Sequence, residues 1–227
     1  PFMKKSKESR KPFFINLWIH EPHTPFHVDP KLQKLFPDME EADNIYAATL
    51  YHADLRIGQL LDALEEMKIT ENTLVIFSSD NGPARGAPNS PITLTYDSAT
   101  GPGYGIGGAK GITGGRRAFK GALMEGGIGV PFIARWPGKI AAGKVDKTSV
   151  LSAVDLLPTF CELAGVKLPK SYKPDGISQV STLMGRGNKL RKKPIFWKMS
   201  APWPANESKP DHWVAYAVVH EQWKLVL

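Results

Sequence analysis

Apolar residues fall into a few compact groups separated by long polar stretches. Phe13-Phe14-Ile15-Asn16-Leu17-Trp18-Ile19 is a short run rich in aromatic and β-branched residues, and it predicts a buried strand. The polar, proline-punctuated segment from His20 to Asp38 predicts a loop. Ile45, Ala48, Ala53, Ile57, Leu60, Leu61, Leu64 and Met67 then recur at helical spacing and predict a helix over 43–67, with Asp43 as a candidate cap. Thr73-Leu74-Val75-Ile76-Phe77 predicts a second buried strand, too uniformly apolar to be half exposed. Residues 82–117 show no periodicity and are rich in Gly and Pro, the pattern of a functional or mobile loop. Val130-Pro131-Phe132-Ile133-Ala134 predicts a third strand, and Thr148-Ser149-Val150-Leu151 a fourth. Leu156, Leu157, Phe160, Leu163 and Ala164 form a helical face that Gly165 ends, with Pro158 tolerated only in the first turn.

Strands alternating with helices predict an α/β layered domain with a mostly parallel sheet. After Leu183 the texture changes. Gly185 to Pro194 reads as a basic linker. Ile195-Phe196-Trp197, Trp213 to Val219 and Trp223 to Leu227 read as short strands around turns, an antiparallel appendage. The expected division is 1–184 and 185–227.

Composition narrows the classes. At 227 residues, 42% hydrophobic and 22% charged, the chain has the make-up of a globular protein, and whole-chain disorder is excluded. Cys161 is the single cysteine, so no disulfide framework exists; it sits on the apolar helical stretch and reads as core. No apolar run approaches the roughly 18–20 residues of a membrane span. The net charge of +7 is concentrated in two places: Lys4, Lys5, Lys7, Arg10 and Lys11 near the start, and Arg186, Lys189, Arg191, Lys192, Lys193 and Lys198 further on. Neither cluster is interleaved with exposed aromatics or set in a recognisable module, so nucleic acid is not an expected partner. Solvated loops and an anion-attracting rim both fit these clusters. Pro1-Phe2-Met3 is not a natural start, and no signal-peptide pattern follows, so the chain is expected to be processed or part of something longer.

Three segments carry candidate chemistry. Ser78-Ser79-Asp80-Asn81-Gly82 directly follows the strand at 73–77, and strand carboxyl ends are where open α/β sheets collect ligands. Asp80 and Asn81 offer hard oxygen donors suited to Ca²⁺ or Mg²⁺, and the same residues are also ordinary turn chemistry. His20-Glu21-Pro22-His23-Thr24-Pro25-Phe26-His27 places three of the six histidines in eight residues. No second Cys/His cluster completes a zinc site, which leaves a catalytic or anion-binding histidine, or solvated loop histidines. Arg116-Arg117-Ala118-Phe119-Lys120-Gly121 leads to Glu125-Gly126-Gly127. Its cations can hold an anion or form a solvated loop, and Glu125 can pair with one of them.

Taken in order, these motifs resemble the sulfatase family of the alkaline-phosphatase-like superfamily, over roughly residues 12–227. The resemblance rests on His20–Pro25, the helix with Tyr46, Asp54 and Gly58, Ser79-Asp80-Asn81-Gly82, Lys120-Gly121 with Glu125-Gly126-Gly127 and Val130-Pro131, Arg135-Trp136-Pro137-Gly138, Asp155-Leu156-Leu157-Pro158-Thr159, Asp175-Gly176 and Trp223-Lys224-Leu225. The texture around Lys120 and Trp197 is most similar to bacterial arylsulfatases related to N-acetylgalactosamine-6-sulfatases.

The resemblance implies a three-layer α/β/α alkaline-phosphatase-like fold. Residues 1–184 would form the later part of the catalytic domain, and 185–227 a linker and the start of a C-terminal antiparallel subdomain. It implies hydrolysis of sulfate esters, on sulfated carbohydrate or aryl sulfates, with a Ca²⁺ ion and a formylglycine nucleophile. Asp80 and Asn81 match one pair of metal ligands, Lys120 the lysine on the sulfate oxygens, and His23 the histidine beside the ester oxygen. Arg117 is a looser match for a substrate contact, and His20 matches a common position of structural role that is also a candidate for substrate binding. Tyr96, Tyr104, Arg116 and Arg117 are expected at the mouth of the site. The chain departs from the pattern in carrying no Cys-x-Pro/Ala-x-Arg motif and no adjacent aspartates after its first strand. Both are expected upstream of Pro1, so residues 1–227 alone are expected to show no turnover. A phosphodiesterase or phosphonate hydrolase of the same superfamily, or a non-catalytic carbohydrate-binding relative, is the alternative. The family implies a periplasmic or secreted location.

Overall fold

A computed structural model describes residues 1–86, 94–97, 101–105, 109–187, 191–199 and 215–227, with backbone alone for 94–97 and 101–102. The described residues form two units. One comprises Pro1–Thr70 with Ala84–Gly111, the other Glu71–Pro83 with Ile112–Leu227.

The first unit is organised by its long helix. Helix α1 (Phe2–Glu8) and the short α2 (Pro30–Gln33) precede α3 (Glu41–Glu66). α3 begins two residues before the predicted start and buries Ile45, Ala48, Thr49 and Leu64. Asp43 is not the cap; it lies in the first turn, where its charge suits the helix N-terminus, with Lys110 Nζ 3.7 Å away. At the other end Lys7 donates to the Met67 carbonyl at 2.6 Å, a cation on the free carbonyls of a helix C-terminus. This contact gives a role to α1, which the basic texture of residues 1–11 did not suggest. Strands β2 (Leu94–Asp97) and β3 (Gly101–Tyr104) form an antiparallel hairpin inside the stretch expected to lack structure. Phe26, Ile45 and Ala109 make the local core, with Tyr46 edge-on to Phe26 at 5.9 Å.

The predicted strand at 13–19 does not form. Residues 11–20 join no ladder among the described residues, and Phe14 and Trp18 are 68% and 87% exposed. Strand propensity reports a fit to a pleated surface; without a paired neighbour it does not order a backbone.

In the second unit β1 (Val75–Ser78) pairs antiparallel with β4 (Phe132–Arg135), with Ile76 opposite Ala134. The alternation of elements predicted parallel neighbours, but the pairings among the described strands are antiparallel. The connection from β1 to β4 explains this pair. Its helical piece in this unit is the four-residue α4 (Glu125–Ile128), too short to act as a crossover helix. β1 is also not buried throughout: Phe77 is 42% exposed, and its cross-strand partner Ile133 58%.

Residues 148–151 form no strand either. The Asp146 carboxylate accepts from the backbone N–H groups of Thr148 and Ser149 at 2.9 Å each, so the chain turns instead of extending. Hydrogen bonds from Ser149 and Thr148 lower the Asp146 carboxyl to about 2. The predicted helix forms as α5 (Leu156–Leu163), preceded by a 3₁₀ turn at Ala153–Asp155, and Gly165 takes the left-handed conformation that ends it. Cys161 is half-buried on it, not core. After α6 (Val180–Leu183), strands β5 (Ile195–Lys198), β6 (Tyr216–His220) and β7 (Trp223–Val226) form an antiparallel sheet in that order, as the sequence predicts; Trp213 lies outside the described residues. Leu123, Met124 and Ala217 form the core beneath it.

Candidate functional site

Each unit gathers one group of candidate residues. In the second, β1 delivers Ser79–Pro83 as a tight turn. Ser79 Oγ donates to the Asn81 carbonyl at 2.9 Å, and Asn81 N–H donates to Asp80 Oδ1 at 2.8 Å. Asn81 Nδ2 donates to the Gly82 carbonyl at 2.8 Å. That bond fixes the amide so that Asn81 Oδ1 remains an acceptor, as does Asp80 Oδ2. Asp80 is exposed and Asn81 half-buried.

This turn is bonded to the segment that carries Lys120. Gly82 N–H donates to the Gly127 carbonyl at 2.8 Å, Lys120 N–H to the Pro83 carbonyl at 2.9 Å, and Gly126 N–H to the Arg117 carbonyl at 2.7 Å. Backbones approach so closely here that a Cβ on Gly82 would lie 1.8 Å from the Gly126 carbonyl oxygen, and one on Gly126 1.9 Å from that of Ala118. The glycines of two separate motifs are thus the two sides of one junction. It sets Asp80, Asn81, Arg117 and Lys120 on neighbouring loops, with Lys120 half-buried and Arg116 and Arg117 exposed.

Glu125 has a partner far from it in sequence. Its Oε1 accepts from Lys224 Nζ of β7 at 2.6 Å. A register fixes that partner, since Lys224 faces Val219 across β6. Local sequence gives no sign of a contact 99 residues long.

In the first unit the histidine loop is held at both ends. Phe26 and Tyr104 exchange backbone hydrogen bonds of 2.8 and 3.0 Å, which brings Tyr104 of β3 to the loop. Phe26 is 1% exposed and anchors the exit. At the entrance, Glu21 Oε1 lies 2.8 Å from His52 Nδ1 of α3. Between the anchors His20 and His23 are exposed, their rings 6.1 Å apart, with His27 6.2 Å from His20. His23 Nδ1 donates to the Thr24 carbonyl at 2.6 Å, which places a ring proton on Nδ1 and leaves Nε2 outside that bond. His20 Nε2 lies 3.4 Å from the Pro25 carbonyl. Burial opposes the charge of Glu21, but hydrogen bonds from its own backbone and from His52 outweigh it and hold the carboxyl below its usual range. Tyr96 lies outside the described side chains.

The sequence singled out His20, His23, Tyr104, Arg117 and Lys120 as well as the oxygen pair, and missed the Glu21–His52 contact. Among the described residues no group of three His, Cys, Asp or Glu side chains is placed to hold a metal. Asp80 and Asn81 present two side-chain oxygen donors, fewer than the six to eight that a Ca²⁺ site takes.

Residues 1–166 match the family model described as Sulfatase, and residues 116–227 the one described as N-sulphoglucosamine sulphohydrolase, C-terminal. The chain is 32% identical over 185 residues to arylsulfatase G of Rattus norvegicus, covering 82% of this chain and 32% of that protein. It is 31% identical over 199 residues to N-acetylgalactosamine-6-sulfatase of Canis lupus familiaris, covering 86% and 33%. Among solved structures it resembles Ps i-CgsB in complex with k-i-k-neocarrahexaose, with TM-score 0.76, 28% identity, and 99% and 43% coverage. It also resembles the PsFucS1 sulfatase from Pseudoalteromonas sp., with TM-score 0.65, 26% identity, and 100% and 42% coverage. The chain spans about a third of the length of the curated relatives it matches. With the ordered motifs, the α/β alkaline-phosphatase-like fold of its structural neighbours and a family match over most of its length, this chain belongs to the sulfatase family.

Proposed function

We propose that this chain supplies sulfate-binding and leaving-group residues to a sulfuric ester hydrolase acting on sulfated carbohydrate. The observation that carries the reading is the junction at Gly82, Pro83, Lys120 and Gly127, which joins an oxygen-donor turn to a lysine loop. In this reading residues 1–184 are the later part of the catalytic domain, and 185–227 are the linker and start of the C-terminal subdomain. The enzyme is periplasmic or secreted. Among the described residues no helix is long and apolar enough to cross a membrane.

Lys120 and Arg117 balance the charge of the sulfate oxygens, most strongly where that charge grows in the transition state. His23 presents Nε2, because Nδ1–H is committed to Thr24. When protonated, Nε2 donates to the ester oxygen and hands its proton to the departing alcohol. His20 packs beside His23 and adds a second ring to the face offered to the sulfate. Asp80 and Asn81 would hold Ca²⁺, which supplies positive charge that polarises the sulfate. The formylglycine nucleophile that the family implies would come from outside these residues, since the sequence holds no Cys-x-Pro/Ala-x-Arg motif.

The test is turnover by the complete protein carrying this sequence. p-Nitrophenyl sulfate should be hydrolysed, the matching phosphate or phosphonate ester much less, and a calcium chelator should abolish activity. Phosphate or phosphonate turnover exceeding sulfate would move the reading to another hydrolase. Binding of sulfated oligosaccharide without turnover would make the protein a carbohydrate-binding relative. Tyr104, fixed beside the loop by its bridge to Phe26, is proposed to face the sugar. Tyr104→Ala should raise KM for a sulfated polysaccharide about tenfold and for the small aryl sulfate less than twofold, on the scale of one lost aromatic contact. Equal effects on both would remove Tyr104 from the sugar site.

A further inference from the structure

A carboxylate in the middle of an anion-binding loop is an anomaly. Glu21 stands between His20 and His23, the two rings offered to a sulfate ester, and its charge and that of His20 interact. Left to swing outward, it would repel the substrate those rings attract. The structure turns it inward. Glu21 Oε1 lies 2.8 Å from His52 Nδ1, and its side chain is 21% exposed, whereas His20 and His23 are exposed. His52 is held from its other side. Arg56 Nε donates to His52 Nε2 at 3.2 Å, and Arg56 Nη1 donates to Gln59 Oε1 at 3.0 Å. An arginine only donates, so His52 Nε2 accepts and its proton sits on Nδ1, where it serves Glu21. The two bonds fix the tautomer of His52. All three partners lie along α3, a 26-residue helix, so the anchor is a rigid element.

We propose that His52, oriented by Arg56, is a positioning residue that tethers Glu21 to α3 and keeps its carboxylate off the anion-binding face of His20 and His23. The inference rests on the sulfatase reading for what that face binds, but the tether stands on the geometry. A role in packing alone would make the histidine's shape matter. The tether makes the charge of Glu21 matter, and the two are separable.

The experiment compares wild type, His52→Ala, Glu21→Gln and the double variant for dissociation constants of inorganic sulfate and for the titration midpoint of the Glu21 carboxyl carbon by NMR. His52→Ala should raise the sulfate Kd about five- to tenfold, the scale of one unscreened charge a few ångströms away. Adding Glu21→Gln should restore it to within twofold, and Glu21→Gln alone should not weaken sulfate. The Glu21 midpoint should rise in His52→Ala, since a hydrogen bond to its charged form is lost. An unchanged midpoint overturns the tether. Weakened binding that persists in the double variant overturns its electrostatic purpose. Should His52→Ala not fold, His52→Leu fills the same space and gives the same comparison. A wild type that binds no sulfate sinks the sulfatase reading, and the Glu21 midpoint then still decides the tether by itself.

Discussion

Asp155→Asn is expected to destabilise the protein by about 3–5 kcal/mol, the usual cost of leaving one partner of a buried ion pair uncompensated. Asp155 and Arg191 are 1% and 5% exposed, and Arg191 Nη2 donates to Asp155 Oδ2. The Nε and Nη1 atoms of Arg191 are buried and have no hydrogen-bond partner among the described residues, where Asp155 carries the compensation of that charge. Its carboxylate has two further donors, Ser152 N–H at 3.0 Å and Ile177 N–H at 2.9 Å. Thr159 of the next turn extends the lock: its hydroxyl donates to the Asp155 carbonyl at 2.6 Å and accepts from Gln179 N–H at 3.0 Å. Gly176 fits because a Cβ there would lie 2.0 Å from the Val154 carbonyl oxygen. Asp155, Thr159, Gly176 and Arg191 are therefore one structural knot. At roughly 2–4 °C per kcal/mol for a chain this size, the melting temperature should fall by about 6–20 °C. Arg191→Met combined with Asp155→Asn should recover much of that loss, because no charge is then left buried. A single variant that melts within 2 °C of wild type, or a double no better than the single, would refute the pair's role.

The same knot shows what the sequence could and could not reveal. Asp155-Leu156-Leu157-Pro158-Thr159 and Asp175-Gly176 were visible as motifs, and the basic cluster near Arg191 as a linker. Their meeting was not, because it depends on contacts 20 to 36 residues apart. Elements whose cause is local were legible. α3 and α5 follow from apolar periodicity, and the C-terminal sheet from short apolar runs between turns. Elements that need a distant partner were not. The run at 13–19 has strand composition but no ladder among the described residues, and at 148–151 the side chain of Asp146 captured the amides a ladder would need. Among the candidate residues, residue types and motif order singled out Asp80, Asn81 and Lys120 in one unit and His23 in the other. What keeps the neighbouring acids in place, Lys224 on Glu125 and His52 on Glu21, came only with the tertiary structure.

Lys120→Ala, in the complete protein, is expected to lower kcat/KM for a sulfate ester by about 10²–10³-fold, the range for losing one preorganised group aimed at developing charge. Two features support so large an effect from one lysine. Its backbone is fixed by the bond from Lys120 N–H to the Pro83 carbonyl, so the side chain springs from a set point beside the Asp80–Asn81 turn. Its acidic neighbour in sequence, Glu125, is already bound to Lys224 at 2.6 Å, so the carboxylate that would otherwise compete for the ammonium is engaged. Much of the loss should fall on kcat, because the charge on the sulfate oxygens changes most between ground and transition states. Lys120→Arg should recover part of the rate, since it restores charge with a different reach and geometry. The measurement is steady-state kinetics on p-nitrophenyl sulfate, with melting temperatures confirming that both variants stay folded. Lys120→Ala that retains more than a third of the wild-type kcat/KM would remove this lysine from the sulfate. In that event Arg117, on the same loop and bonded through its carbonyl to Gly126, would be the cation to test next.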